Sequence, residues 1–302
     1  MKKIIGLLLI LGLFFTCLIY NDEIISYLVN SFTDFHKDAS DIENNTYASN
    51  NSYNYVQLTN DFIPKNKKDI LNIYYTVINS GMDTFTFYCP NEYKNCIKDI
   101  DSISNNQVSL TNINNFVPVY NSFQNIDTEF DSLGKVTINI VHNYTDKQIS
   151  EIEEKINNVY KDIIDDNMTN EKIIKSIHDY IINNTKYDID RSDNKVTKYH
   201  SDIAYGALIE NYAICGGYAD SMKLFLDKLD IPNYKISSEN HIWNLVKLDD
   251  KWYHLDLTWD DPVTSTGEDV LEYDYFLITT EDLEKLETDQ HIFDKTIYTE
   301  AI

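Results

Sequence analysis

Apolar residues recur along this chain with two distinct spacings, and the alternation of the two predicts its elements. Ile70 to Ile78 carries helical spacing, Thr84 to Tyr88 reads as a strand, and Glu92 to Ile100 reads as a second helix. Phe116, Tyr120 and Phe123 follow as aromatic positions, and Val136 to Val141 is strand-like. Thr145 with Gln148 three residues later is a capping-box signature, after which Ile149, Ile152, Ile156, Val159, Tyr160 and Ile163 recur once per turn. A further helix is predicted over 170–183, with Ile173, Ile174, Ile177 and Ile181 on its buried stripe and Asn183-Asn184 as its stop. Tyr218, Met222, Phe225, Leu226 and Leu229 predict a helix beginning near Cys215. Two strands, His241 to Val246 and Trp252 to Leu257, flank a polar turn over Lys247 to Lys251.

The N-terminus has a different pattern. Met1-Lys2-Lys3 precedes an uncharged run from Ile4 to Tyr20, seventeen residues that fit either a membrane anchor or a signal-peptide core. No small-residue cleavage site follows, so an uncleaved signal-anchor is expected. With Lys2 and Lys3 inside, it places the rest of the chain outside the membrane; secretion after cleavage is the alternative. The expected organisation is an anchor over 1–22, a polar stalk over 23–55, an α+β region of unknown role over 56–133, and a second α+β domain over 134–302.

Composition narrows the partners. The 302 residues carry 25 Lys and Arg against 49 Asp and Glu, a formal charge of −24, and Arg191 is the single arginine. Phosphate backbones are held by cationic side chains, so nucleic acid is excluded as a partner. Cys89 and Cys96 are close enough to pair in an exported protein, or else stand as two thiols. Without clustered histidines they make no zinc site, and neither a metal nor a cofactor is expected.

Cys215 carries the chemistry. It lies in Ala213-Ile214-Cys215-Gly216-Gly217-Tyr218-Ala219-Asp220, in the first turn of its predicted helix. Unpaired backbone N–H groups and the positive helix end favour a thiolate there. The two glycines permit a sharp entry into the helix and close approach of a substrate backbone. His241 lies on a strand-like segment and Asp256 across the hairpin, so a nucleophile, a base and a carboxylate that orients the base are all present for acyl transfer.

Four blocks together resemble the bacterial transglutaminase-like superfamily, a papain-like cysteine fold: Gly206-Ala207-Leu208, the Cys215 block, His241-Ile242-Trp243-Asn244, and Trp252 through Pro262. Ile177-His178-Asp179-Tyr180-Ile181 and Tyr187-Asp188 match the usual upstream pattern, and the resemblance covers roughly 135–280. It implies an α+β core with the nucleophile at a helix N-terminus packed on a small antiparallel sheet. It implies Cys215 as nucleophile, His241 as base and Asp256 as third member. The substrate would be a protein or peptide amide, cell-wall peptide included, without a cofactor. The family also contains cysteine peptidases, amidases and domains that have lost activity, so these readings stand beside an acyltransferase. Two positions depart from the pattern: Asn211 stands in place of a common glycine, and Ile242 in place of a common alanine.

Around the expected triad, Tyr187 and Tyr205 are candidates for a second oxyanion donor, and Trp243 and Trp259 for core residues or groove walls. His178 reads as a structural histidine. His254 alternates away from its immediate neighbours in the Asp256 strand and is not expected to be the base. Asn244 has a weaker claim than Asp256 to orient His241. Asp260 and Asp261 read as turn or cap residues, and His291 as either a surface residue or part of a groove rim.

Overall fold

The computed structural model describes residues 42–165, 167–263, 270–286 and 289–302. The anchor expected over 1–22 lies outside these residues, as does the stalk up to residue 41. Among the described residues no helix is long and apolar enough to cross a membrane. This corrects the expected architecture to an α+β fold described without a membrane span. The signal-anchor, the membrane as a partner and the location outside it all rested on that span, and they are not retained.

The described chain forms two compact units. The first comprises 42–52, 56–107 and 125–141. Its helix α1 (Lys67–Ser80) extends beyond the apolar stretch at both ends because polar residues cap it. The Asn66 side chain accepts from Asp69 N, and Gly81 closes the helix in the left-handed region at φ 78°. Ile70, Ile73, Tyr74, Val77 and Ile78 are fully buried. Residues at the end of the expected stalk are tied to this helix, with Asn45 N donating to Ser80 O at 2.9 Å and Tyr75 Oη to Asn51 O at 2.9 Å. Strands β1 (Thr84–Tyr88), β2 (Phe123–Phe130) and β3 (Lys135–His142) form a sheet in the order β1-β3-β2. β1 and β3 are antiparallel, with Phe85 opposite Ile138 and Phe87 opposite Val136, all four buried.

The helix predicted over Glu92 to Ile100 instead runs as α2 (Cys96–Ser104). A disulfide joins Cys89 to Cys96 with their Cα atoms 5.8 Å apart, and the chain between them is spent on a turn in which Tyr93 N donates to Pro90 O. The helix can begin only where that turn ends.

The second unit comprises 53–55, 108–124 and the described residues of 142–302. Helix α3 (Gln107–Asn114) leads into it. Helix α4 (Asp146–Ile163) starts at the predicted capping box, with both reciprocal bonds between Thr145 and Gln148 present. Helix α5 (Asn170–Asn184) buries Ile173, Ile174, Ile177 and Ile181 as predicted. The short strands β4 (Lys186–Tyr187) and β5 (Tyr212–Ala213) pair in parallel, with Tyr187 opposite Ala213. Between them lie α6 (Ile189–Asn194) and a single π turn over Gly206–Glu210. Asn211 ends that turn at φ 62°, in the left-handed region that asparagine tolerates better than most residues, so the glycine it replaces is not needed.

Helix α7 (Cys215–Lys228) packs against a four-stranded antiparallel sheet of β6 (Asn233–Ser237), β7 (Ile242–Leu248), β8 (Lys251–Leu255) and β9 (Phe276–Ile278), in that order. The β7–β8 turn is made by Asp249 and Asp250, both at positive φ, as a two-residue hairpin of right-handed strands requires. Helix α8 (Thr280–Leu286) follows β9.

Candidate active site

Cys215 is the first residue of α7, and its thiol is free and partly exposed. No side chain caps this helix end and no acidic residue lies in its first turn, so the N–H groups and the positive helix end face the sulfur unopposed. Gly216 and Gly217 allow this entry, but for a different approach than the sequence suggested. A Cβ on Gly216 would lie 2.5 Å from Asp202 O, and one on Gly217 would lie 2.5 Å from Ser201 O. The backbone that passes close is the protein's own 201–202 segment, which also accepts from Ile214 N through Ser201 O at 2.8 Å.

His241 immediately precedes β7 and Asp256 immediately follows β8. The register puts Asn244 opposite Leu255, so one step further along it faces Trp243 toward Asp256, and His241, two residues earlier on the same face, is their diagonal neighbour. The side chains meet: His241 Nε2 lies 2.5 Å from Asp256 Oδ2, and both residues are buried. Asp256 Oδ1 accepts from Thr258 N at 2.9 Å and from Trp259 N at 3.3 Å. Oδ2 takes a second imidazole, with His291 Nε2 at 2.9 Å.

These contacts set the proton balance. Burial works against the Asp256 charge, but His241 and His291 outweigh it and hold the carboxyl well below the usual range. Burial also works against a charged His241. The Asp256 carboxylate overcomes this, with a smaller contribution from Cys215, and pushes the imidazole up to about 10. With Nε2 committed to Asp256, Nδ1 is the nitrogen left for the sulfur.

The linear Cys-His-Asp triad expected from the sequence is corrected by this arrangement. The buried cluster is His241–Asp256–His291, in which one carboxylate oxygen serves two histidines, and Cys215 is not a member. Their ligating atoms lie within 4.8 Å of one another, near enough in distance for a metal ion. Both nitrogens also sit at hydrogen-bond distance from Oδ2.

Cys215 and His241 open onto a cavity of about 450 Å³, lined also by Tyr187, Thr258, Trp259 and Asp261. Tyr187 reaches it because the β4–β5 pairing sets it beside the chain that enters α7. Tyr205 does not line it; its hydroxyl donates to Glu151 at 2.8 Å. Trp259 is a wall of the cavity, whereas Trp243 is fully buried behind the base, stacked on the His241 ring with centroids 5.6 Å apart. The lining does not include Ile242.

The remaining histidines are held by neighbours. His254 Nδ1 accepts from Trp243 Nε1 at 3.0 Å and its Nε2 meets Thr280 Oγ1 at 2.9 Å. Burial, with the nearby His291, lowers it to about 3, so it stays neutral. His178 is buried between Asp179 and Asp260, at 3.0 and 3.1 Å. Asp260 also accepts from Tyr275 N at 2.9 Å, and Asp261 accepts from the Tyr218 hydroxyl. Asn244 donates to Ala219 O at 3.0 Å, joining β7 to α7. Sequence reasoning leaves the role of His291 open, since it lies 35 residues beyond Asp256 in a short 3-10 turn without a motif around it.

No protein-family model and no curated protein matches the chain. Among solved structures there is a weak, partial resemblance to the transglutaminase and papain-like cysteine-protease fold. One, described as a TGase, is 15% identical over 45% of this chain and 44% of its own, with a TM-score of 0.34. Another, a putative cysteine protease from Cytophaga hutchinsonii, is 13% identical over 48% of this chain and 65% of its own, with a TM-score of 0.28. The chain thus spans less than half of the first and under two thirds of the second. Likeness of this size carries no argument about activity, which rests on the atoms of the site.

Proposed function

We propose that this protein is a thiol-dependent acyl-transfer enzyme of the transglutaminase-like kind, acting on protein or peptide amides. One observation supports the reading above others. A free cysteine at an uncapped helix start shares an open cavity with a histidine whose far nitrogen is fixed on a buried carboxylate. His241 holds its proton at neutral pH and faces the sulfur as an imidazolium. Cys215 Sγ attacks the amide carbonyl, forming the S–C bond. The Cys215 backbone N–H meets the oxyanion, with Tyr187 as the second candidate donor. Collapse breaks the C–N bond, and the proton from His241 leaves with the amine. A second amine then attacks the thioester carbonyl, forming the new C–N bond and breaking the C–S bond while His241 takes the amine proton, which returns Cys215 and His241 to their starting state.

The test supplies a peptide carboxamide with hydroxylamine and measures hydroxamate and released ammonia in equal amounts. Wild type is expected to form both, and Cys215→Ala neither, with an unchanged circular-dichroism spectrum. Ammonia without hydroxamate would assign a hydrolase, the peptidase or amidase reading. Turnover retained by Cys215→Ala would overturn the proposal.

A further inference from the structure

The cluster contains a histidine that the proposed chemistry does not use. His291 is buried, and its Nε2 donates to the same Asp256 oxygen that holds His241. Its ring is fixed on several sides. It stacks on Tyr275 with centroids 5.0 Å apart, meets Trp243 edge-on at 5.0 Å and lies 5.4 Å from Trp259. Its centroid is 5.2 Å from that of His241 and the two rings are nearly perpendicular, at 83°. A side chain held this firmly presents its N–H dipole in one direction.

That dipole has two electrostatic consequences. It stabilises the carboxylate independently of His241, so Asp256 depends less on the His241 proton to stay charged in a buried site. It also brings a positive N–H end close to an imidazolium, which disfavours the extra proton there. We propose that His291 is a positioning residue that shares Asp256 Oδ2 and so limits how tightly the carboxylate holds the proton of His241. In the proposed reaction this matters because His241 must release that proton to the leaving amine and accept one in the second half. A carboxylate serving His241 alone would keep it charged. The inference rests on the reading of His241 as the proton carrier.

Charged and titratable groups face both members of the pair. His291 is faced by Asp256, His241, His254 and Tyr275, and on its outer side it shares a smaller cavity with Glu284, Asp289 and Lys295. His241 is faced by Asp256, Cys215 and His291, with Tyr187 and Asp261 in the same cavity. All of these except His291 are retained in the variants below, so a change in the His241 titration reports the loss of the His291 N–H at the shared oxygen.

The experiment is an NMR titration of the His241 imidazole in the full chain, labelled at histidine, for wild type, His291→Phe and His291→Gln. Phe keeps a ring against Tyr275 and Trp243 but has no donor, whereas the Gln amide can still donate to Oδ2. The His241 midpoint should rise in His291→Phe by at least about half a pH unit, a threefold gain in proton affinity. In His291→Gln it should stay near the wild-type value. A structural role alone would lower the melting temperature and leave the midpoint in place. An unchanged or lowered midpoint in His291→Phe overturns the inference. If that variant does not fold, a half-unit rise in His291→Gln does the same. No turnover is needed, so loss of the acyl-transfer reading through the Cys215→Ala assay is a separate outcome.

Discussion

Replacing Asp256 with Asn should remove a specific alkaline dependence of stability. In the folded protein His241 is raised from 6.5 to about 10, because the Asp256 carboxylate outweighs the burial that opposes its charge. A group with a raised folded value contributes stability that is fully present below the unfolded value. The contribution is lost as pH climbs through the folded value. The window therefore opens near pH 6.5 and closes near pH 10. Each tenfold gain in proton affinity on folding is worth about 1.4 kcal/mol, so the whole window amounts to roughly 5 kcal/mol at most. Asp256 itself is depressed, so its contribution is present above about pH 4 and is lost only in acid. Wild type should accordingly gain stability up to about pH 6.5, because His254, lowered to about 3, stays neutral in the folded protein, and then fall with a slope approaching 1.4 kcal/mol per pH unit. In Asp256→Asn the slope should vanish, so the difference between the proteins is largest near pH 6 and narrows toward pH 10. Urea unfolding followed by tryptophan fluorescence measures this in the relevant unit, because Trp243, Trp252 and Trp259 are the three tryptophans of the chain and all lie in it. An alkaline fall that survives in Asp256→Asn, or is absent from wild type, would refute the reasoning.

Three further outcomes follow from the same contacts. Gly217→Ala places a Cβ against Ser201 O and should destabilise the unit by more than about 2 kcal/mol, since backbone rather than a flexible side chain has to move; urea midpoints at pH 6 measure it. Reduction of Cys89–Cys96, or Cys89→Ser with Cys96→Ser, should cost the first unit about 2 kcal/mol. The tryptophan-detected transition of the second unit reads no direct loss, and far-ultraviolet circular dichroism detects the first. His241→Ala should slow hydroxamate formation by at least about a hundredfold while circular dichroism stays unchanged, as loss of a general acid–base does.

Where an element follows from local pattern, the sequence is enough to find it. The capping box at Thr145, the isoleucine stripe of α5 and the aspartate turn between β7 and β8 are each contained within a few residues. α2 starts later than its periodicity predicts because a disulfide, a constraint between separated residues, consumes the start of its apolar run. β2 and α3 carry little periodicity of their own and are not legible in the sequence.

The site divides in the same way. Cys215, His241 and Asp256 are candidates from a helix start, a hairpin and the resemblance of the blocks around them, and Tyr187 and Trp259 line the cavity. Tyr205 faces Glu151 instead, because the π turn that follows it has no signature separable from an ordinary helix. The backbone that approaches Gly216 and Gly217 is not a substrate's, since only the folded chain shows the 201–202 segment passing over them. His291 reaches Asp256 solely through the return of the chain after α8, which no local pattern announces.

The central claim is that Cys215 is a nucleophile activated by His241, and the most direct measurement is its rate of alkylation. The full chain is treated with iodoacetamide at pH 7, and the modified residue is mapped by mass, with Cys215→Ala controlling for Cys17. The account predicts a Cys215 adduct forming faster than in an unstructured cysteine peptide, and slowing to the peptide rate in His241→Ala. A Cys215 rate equal to that of the peptide in wild type, or unchanged in His241→Ala, would contradict it.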